Sequence, residues 1–343
     1  MTATAATRVV IADDSALMRS VLGSALDRAG IDVVAFASDG NEALDCCERL
    51  APDVLSLDLA MPGRDGVSVL RELRARGQDI PVIVVSAFSK AAGVCAVDAL
   101  AEGAFDVVPK PASREEVDSF IAMLGERVAL AAAESQRRRA PASAAGARYV
   151  AAAPTGEHRV VVIACSTGGP RALAALLPRL PATLGDGTLI IQHMPPGFTA
   201  PLAARLDRAS TLTVAEAGGH DRISSSRALL APGGRHLRVL SRGHVTLSDE
   251  PAIGGLRPRA DITIRDAAAV WGERLLLVVL TGMGKDGLDG AVEVHKAGGR
   301  ILVEAESSCV VYGMPRVIVE AGLADAELDL DGLPEAILAE AGP

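Results

Sequence analysis

The sequence predicts an α/β protein built from two doubly wound parallel-sheet domains. Three observations carry that reading. Short apolar runs alternate with helical-period segments along most of the chain, residues able to do chemistry stand directly after those runs, and a stretch rich in Ala, Arg, Ser, Gly and Pro divides the chain in two. The 343 residues are enough for two domains of roughly 150 residues each. With 49% apolar and 22% charged residues the chain is too apolar for a disordered one. Only 2% of residues are aromatic, so the core must be aliphatic, and base-stacking on single-stranded nucleic acid is disfavoured.

In the first domain, residues 8–125, Val9–Ala12 reads as a buried strand and Ser15 as the start of a helix that Gly30 can terminate. Ile31–Phe36, Val54–Leu57, Pro81–Val85 and Phe105–Val108 read as four more strands, each followed by a helical stretch. Five βα units at this spacing imply a parallel sheet with helices on both faces. The last helix is expected near Ser113, with Glu116 completing a capping box.

Residues 126–157 are expected to form a linker, helical at its start, in which Arg137-Arg138-Arg139 reads as solvated charge rather than a nucleic-acid patch. The second domain, residues 158–343, resumes with strands at Val160–Ala164, Thr188–Gln192, Leu275–Leu280 and Ile301–Val303. Ala228–Leu230, Leu237–Leu240 and Val245–Leu247 are short, lie between Gly- and Pro-rich turns, and are expected to be antiparallel, a β-hairpin excursion from the second sheet.

Several function classes are disfavoured by composition. Residues 1–124 hold 19 acidic and 11 basic residues, a net of −8 out of −9 for the chain, so neither half has the basic excess of a DNA-binding domain. Five cysteines without CxxC spacing argue against a disulfide framework or zinc ribbon. No apolar run reaches the ~18 residues of a membrane span, and Asp13 and Asp14 interrupt any signal-peptide core. A cytoplasmic protein without direct membrane insertion is expected.

Asp13 and Asp14 directly follow the first predicted strand, Asp58 the third, Ser86 ends the fourth and Lys110 the fifth. In an open parallel sheet these positions meet at the carboxyl edge. Three clustered carboxylates repel unless a hard cation is present, and an oxygen-only set suits Mg²⁺. A hydroxyl and an ammonium can hold a phosphoryl group arriving at a carboxylate nucleophile. Taken singly, an Asp at a strand end is usually a helix cap. Lys110 is one of only four lysines, and Pro109-Lys110-Pro111 reads as a fixed turn with Lys110–Pro111 a candidate cis bond.

Residues 8–125 resemble a two-component receiver domain, a flavodoxin-like fold. The resemblance implies that Asp58 accepts phosphate from a sensor histidine kinase, that Asp13, Asp14 and Asp58 hold Mg²⁺, and that Ser86, Phe105 and Lys110 signal the phosphorylated state. The loop Asp58–Gly66 resembles the one after the family's phosphorylated strand, with Ala60 where close relatives usually carry an acid.

Three segments of the second domain also fall at strand ends: Ala164-Cys165-Ser166-Thr167-Gly168-Gly169, Gln192-His193-Met194-Pro195 and Thr281-Gly282-Met283-Gly284-Lys285-Asp286-Gly287. They bring a hydroxyl, an imidazole and a carboxylate to one sheet edge, a set that supports acyl transfer. Ser166 would be the nucleophile, His193 the base and Asp286 its orienting group, with the backbone N–H of Met283 a donor to an oxyanion. No cofactor is needed for that chemistry. The first segment alone fits a phosphate-binding turn equally well, and the G-x-S-x-G elbow is not matched. Cys165 is a weaker nucleophile candidate, because strand alternation turns it into the core.

Residues 159–321 resemble the catalytic domain of the chemotaxis protein-glutamate methylesterases, a Rossmann-like hydrolase. The shared segments are S-T-G-G, Q-H-M-P, Ala231-Pro232-Gly233-Gly234-Arg235-His236, T-G-M-G-x-D-G and Tyr312-Gly313-Met314-Pro315-Arg316. The resemblance implies the triad Ser166, His193 and Asp286 with Met283 at the oxyanion site. It also implies demethylation of glutamyl methyl esters, and deamidation of glutamines, on cytoplasmic helices of methyl-accepting chemoreceptors. Phosphorylation would raise activity by moving the receiver off the hydrolase site. Ala164-Cys165 stands where Gly-Ala is usual, Leu256 where His is frequent, and Val303-Glu304 where Ala-Gln is common. Two other readings are an esterase or amidase serving a non-chemotactic receptor array and a non-enzymatic phosphorylation-dependent binding module.

Overall fold

A computed structural model describes residues 6–87, 90–139, 158–241 and 243–342. The chain separates into two compact units, Met1–Ala142 and Ser143–Pro343.

In the first unit the strands β1 (Arg8–Ala12), β2 (Asp32–Ala37), β3 (Val54–Leu57), β4 (Val82–Ser86) and β5 (Asp106–Pro109) form one parallel sheet in the order β2-β1-β3-β4-β5. Its central strands are buried along their whole length, as expected for strands covered on both faces. Helix α1 (Ala16–Arg28) starts as the sequence predicts, with Ser15 Oγ accepting the Met18 N–H at 3.3 Å. Asp39 and Asp65 cap α2 (Gly40–Leu50) and α3 (Gly66–Ala75), and α4 (Lys90–Ala101) leads to β5.

One expectation changes at the end of this unit. A 3₁₀ turn, Arg114–Glu116, precedes α5 (Val117–Arg139), and Glu116 Oε2 accepts the Ala112 N–H at 2.8 Å, one residue earlier than a capping box at Ser113 requires. Helix α5 continues unbroken to Arg139, and Arg137 pairs with Glu134 at 2.9 Å. The rest of the expected linker, 140–157, lies outside the described residues.

The second unit holds a seven-stranded sheet in the order β14-β13-β12-β6-β7-β9-β8, every neighbouring pair parallel. These strands are β6 (Val160–Cys165), β7 (Gly187–Gln192), β8 (Thr213–Glu216), β9 (Arg227–Leu230), β12 (Leu275–Val279), β13 (Arg300–Glu304) and β14 (Ala326–Leu328). Strands β10 (His236–Ser241) and β11 (His244–Ser248) form the antiparallel hairpin. Ala228–Leu230 is therefore misassigned by the sequence pattern: as β9 it joins the parallel sheet between β7 and β8. The edge strands β8 and β14 carry no apolar run and are half-exposed, so hydrophobic pattern alone does not mark them. Helices α6 (Gly169–Leu176), α7 (Thr199–Ala209), α8 (Ala260–Trp271), α9 (Leu288–Lys296), α10 (Met314–Glu320) and α11 (Leu333–Ala341) complete the unit. Side chains from β6, β7, β12 and β13 pack with Ile264, Ala267 and Trp271 of α8 into an aliphatic core. Among the described residues all five cysteines are free, and no helix is long and apolar enough to cross a membrane.

Candidate functional site

In the first unit the predicted residues meet at the carboxyl edge of the sheet. Asp58 N–H donates to Ala12 O and Lys110 N–H to Ser86 O, both at 2.8 Å, so the ends of β1, β3, β4 and β5 are tied in one row. Asp13, Asp14 and Asp58 each place a carboxylate oxygen within 4.8 Å of the others. Asp13 and Asp58 are buried and Asp14 is exposed. Lys110 Nζ lies 2.7 Å from Asp13 Oδ2 and 2.7 Å from Asp58 Oδ2. Burial alone would push the Lys110 ammonium down, but its close pairing with the Asp13 and Asp58 carboxylates outweighs it and holds its pKa above the ordinary lysine value. The other oxygens face main chain: Asp13 Oδ1 accepts the Ser15 N–H at 2.9 Å and Asp58 Oδ1 the Ala60 N–H at 3.3 Å.

Ser86 and Phe105 are buried at the end of β4 and the entry to β5. Gly66 allows α3 to begin against this loop, since a Cβ there would lie 2.5 Å from Asp58 O. The Lys110–Pro111 bond is not cis: the one cis bond among the described residues is Arg257–Pro258. Three carboxylates with no thiol or imidazole make a donor set that fits a hard divalent cation.

In the second unit Cys165 and Gln192 are paired in register at the ends of β6 and β7, so Ser166 and His193 directly follow the ends of adjacent strands. Ser166 N–H donates to Thr281 O at 3.1 Å, which ties the serine to the loop after β12. Gly282 makes that approach possible, because a Cβ there would lie 2.9 Å from Ser166 Cβ. The turn after Ser166 uses Gly168 at φ +83°, a conformation glycine adopts without strain.

His193 Nε2 lies 2.7 Å from Asp286 Oδ2, and both side chains are almost fully buried. Nδ1 is therefore the ring nitrogen left for a proton from elsewhere. Asp286 is also a cap in trans. Its carboxylate accepts the N–H groups of Ala260 at 2.6 Å and Asp261 at 3.0 Å, the first turn of α8, whose own N-cap, Arg259, makes no side-chain cap bond. Burial pushes the Asp286 carboxyl up, but the hydrogen bond and charge of His193, with the N–H donors, hold it far below the usual carboxylate range.

Asp261, which the sequence reading missed, returns the arrangement. Its Oδ1 accepts the N–H groups of Gly287 and Gly290, each at 2.9 Å, at the start of α9. Arg259 lies against both acids, with Nη2 2.7 Å from Asp261 Oδ2 and Nε 3.4 Å from Asp286 Oδ1. Burial and then the Asp286 charge push the Asp261 carboxyl up. The available signal is an acid in the first turn of α8, but its reach to another helix is tertiary. Glu304, also buried, accepts the Thr281 N–H at 2.8 Å and so fixes the loop that Ser166 leans on. Met283 lies in that loop, half-buried. Cys165 is fully buried, with its thiol pushed well above the ordinary value by burial, which removes it as a nucleophile.

A lysine-bridged acidic sheet edge, followed in the same chain by a sheet edge bearing serine, histidine and aspartate, defines a response regulator with an enzymatic output unit. Family models agree with both halves: response regulator receiver domain over residues 9–122 and CheB methylesterase over residues 161–337. The chain is 42% identical to a protein-glutamate methylesterase/protein-glutamine glutaminase of Symbiobacterium thermophilum, covering 98% of this chain and 97% of that one. It is 37% identical to the protein of the same name in Pyrococcus abyssi, over 96% and 92% of the two chains. Among solved structures, the Thermotoga maritima CheB methylesterase catalytic domain is 40% identical with a TM-score of 0.51, covering 53% of this chain and 98% of that one. The chain belongs to the receiver-linked CheB methylesterase family.

Proposed function

We propose that this protein is a phosphorylation-activated serine hydrolase that removes methyl esters from glutamyl side chains of chemoreceptor helices, and deamidates glutamines there, in the cytoplasm. The observation that carries the reading is the buried His193–Asp286 pair, 2.7 Å apart, one strand away from Ser166. Ser166 Oγ attacks the ester carbonyl carbon while His193 Nδ1 takes its proton. Asp286 stabilises the resulting imidazolium and needs no proton of its own, because its carboxylate stays charged. The carbonyl oxygen, now negative, is met by the backbone N–H of Met283; one such donor contributes roughly 3 kcal/mol in the transition state.

Collapse of the adduct breaks the C–O bond, and His193 returns the proton to give methanol. Water then attacks the acyl-serine with His193 as base, which restores Ser166 and leaves the glutamate. With glutamine the leaving group is ammonia.

Asp58 is the phosphoacceptor, with a sensor histidine kinase as donor. Asp13, Asp14 and Asp58 would hold Mg²⁺, which when bound offsets the negative charge of the phosphoryl oxygens. Lys110 then exchanges a carboxylate partner for the phosphoryl group, and Ser86 and Phe105 pass on that change. The test is methanol release from methyl-labelled receptor membranes, with and without a small-molecule phosphodonor. Release that rises with phosphodonor supports the reading; no release in either arm overturns it.

A further inference from the structure

The Gln192 side chain takes no part in the steps above, yet it is 1% exposed and sits between the two strands that carry Ser166 and His193. Its Nε2 donates to Ser166 O at 2.9 Å and to His193 O at 3.0 Å. Its Oε1 accepts from Cys165 Sγ at 3.1 Å. An amide turned end for end would set its oxygen against two carbonyl oxygens, so the donors and acceptors around it admit one orientation. Gly169 makes room for it: a Cβ at that position would overlap Gln192 Oε1 and lie 2.9 Å from Cys165 Sγ. The last main-chain bond between these strand ends is His193 N–H to Cys165 O, at 3.1 Å. Beyond it the two segments continue into loops, and the Gln192 side chain bonds to both.

We propose that Gln192 is a positioning residue of the hydrolase site. Its amide clamps the main chain of Ser166 to that of His193, and the Cys165 thiol, aided by Gly169, selects which end of the amide faces them. The clamp keeps a hydroxyl and an imidazole from different strands in one register, where a misplacement of about 1 Å can lower the rate about 100-fold. The proposal rests on Ser166 being the nucleophile.

The experiment uses the full chain and a small serine-reactive ester probe, following the rate of Ser166 acylation against pH, with KM and kcat for receptor demethylation in parallel. Gln192→Met, similar in size but without donors, is expected to lower kcat about 100-fold with KM little changed. Gln192→Glu is expected to lose as much at neutral pH. Relative to the wild type at the same pH, it should regain activity as the pH falls and the carboxyl gains a donor hydrogen. Cys165→Ala is expected to cost roughly tenfold, the worth of one hydrogen bond, and Cys165→Ser, which keeps a donor, to restore most of it.

Wild-type rates in Gln192→Met, or equal losses in Cys165→Ala and Cys165→Ser, would overturn the clamp. If the Gln192 variants do not fold, the cysteine pair decides alone. Mass spectrometry of the wild-type adduct separates the two levels. No adduct on Ser166 defeats the nucleophile assignment, whereas an adduct with undiminished variant rates defeats only the clamp.

Discussion

The two sheet edges of this protein hold carboxylates in opposite ways. In the first unit, Asp13 and Asp58 share one side-chain cation, Lys110, and each spends only one oxygen on main-chain N–H groups. In the second, both oxygens of Asp286 are bound by N–H groups of α8 and α9, with His193 and Arg259 beside them. A side-chain ammonium can change partners when a phosphoryl group or metal arrives. Main-chain donors of two helices cannot move without unwinding them. The first edge is thus built for a change of state and the second for a constant geometry, as a switch and a catalytic centre respectively require.

The largest test of this contrast is Ser166→Ala, expected to lower methanol release by about 10⁵-fold or more with the melting temperature unchanged. Asp286→Asn should reduce kcat by roughly 10⁴-fold. Unlike the serine change, it should also destabilise the second unit by about 1–2 kcal/mol, because α8 loses a charged cap; denaturant titration measures this. In the first unit, Asp58→Asn should bring the ratio of rates with and without phosphodonor down to one, without the stability loss seen for Asp286→Asn. Asp261→Asn should cost about 1–2 kcal/mol through the α9 cap and lower kcat roughly tenfold through Asp286.

The smallest effect is on pH dependence. Because the folded-state pKa of Asp286 is depressed, its contribution to stability is present above the ordinary carboxylate value of about 3.9 and is lost as the pH falls below it. Asp261 runs the other way. Its folded-state pKa is raised, so its charge is a cost at neutral pH that protonation relieves as the pH falls through the raised value. Thermal unfolding from pH 7 down to about pH 4 should therefore show the wild type gaining on Asp261→Asn as the pH falls.

Most of both edges was legible in the residues. Strand-end placement follows from the apolar runs, which is why Asp13, Asp58, Lys110, Ser166, His193 and Asp286 could be named in advance and were then found at two carboxyl edges. The alternation of apolar runs with helical segments likewise determined two parallel sheets, since such strands must be covered on both faces. Where short runs met Gly and Pro, pattern misled: β9 has the look of a hairpin strand but pairs in parallel with β7 and β8.

Tertiary structure alone decided which groups hold the functional ones. Asp286 reaches Ala260 and Asp261, Asp261 reaches Gly287 and Gly290, and Glu304 reaches Thr281. Each is a hydrogen bond between segments more than 20 residues apart. Local sequence specifies which groups a chain carries and which face they share, because periodicity is local. Which distant donor meets which buried acceptor is set only when the sheet order and helix ends are assembled, because burial then demands a partner for every polar group.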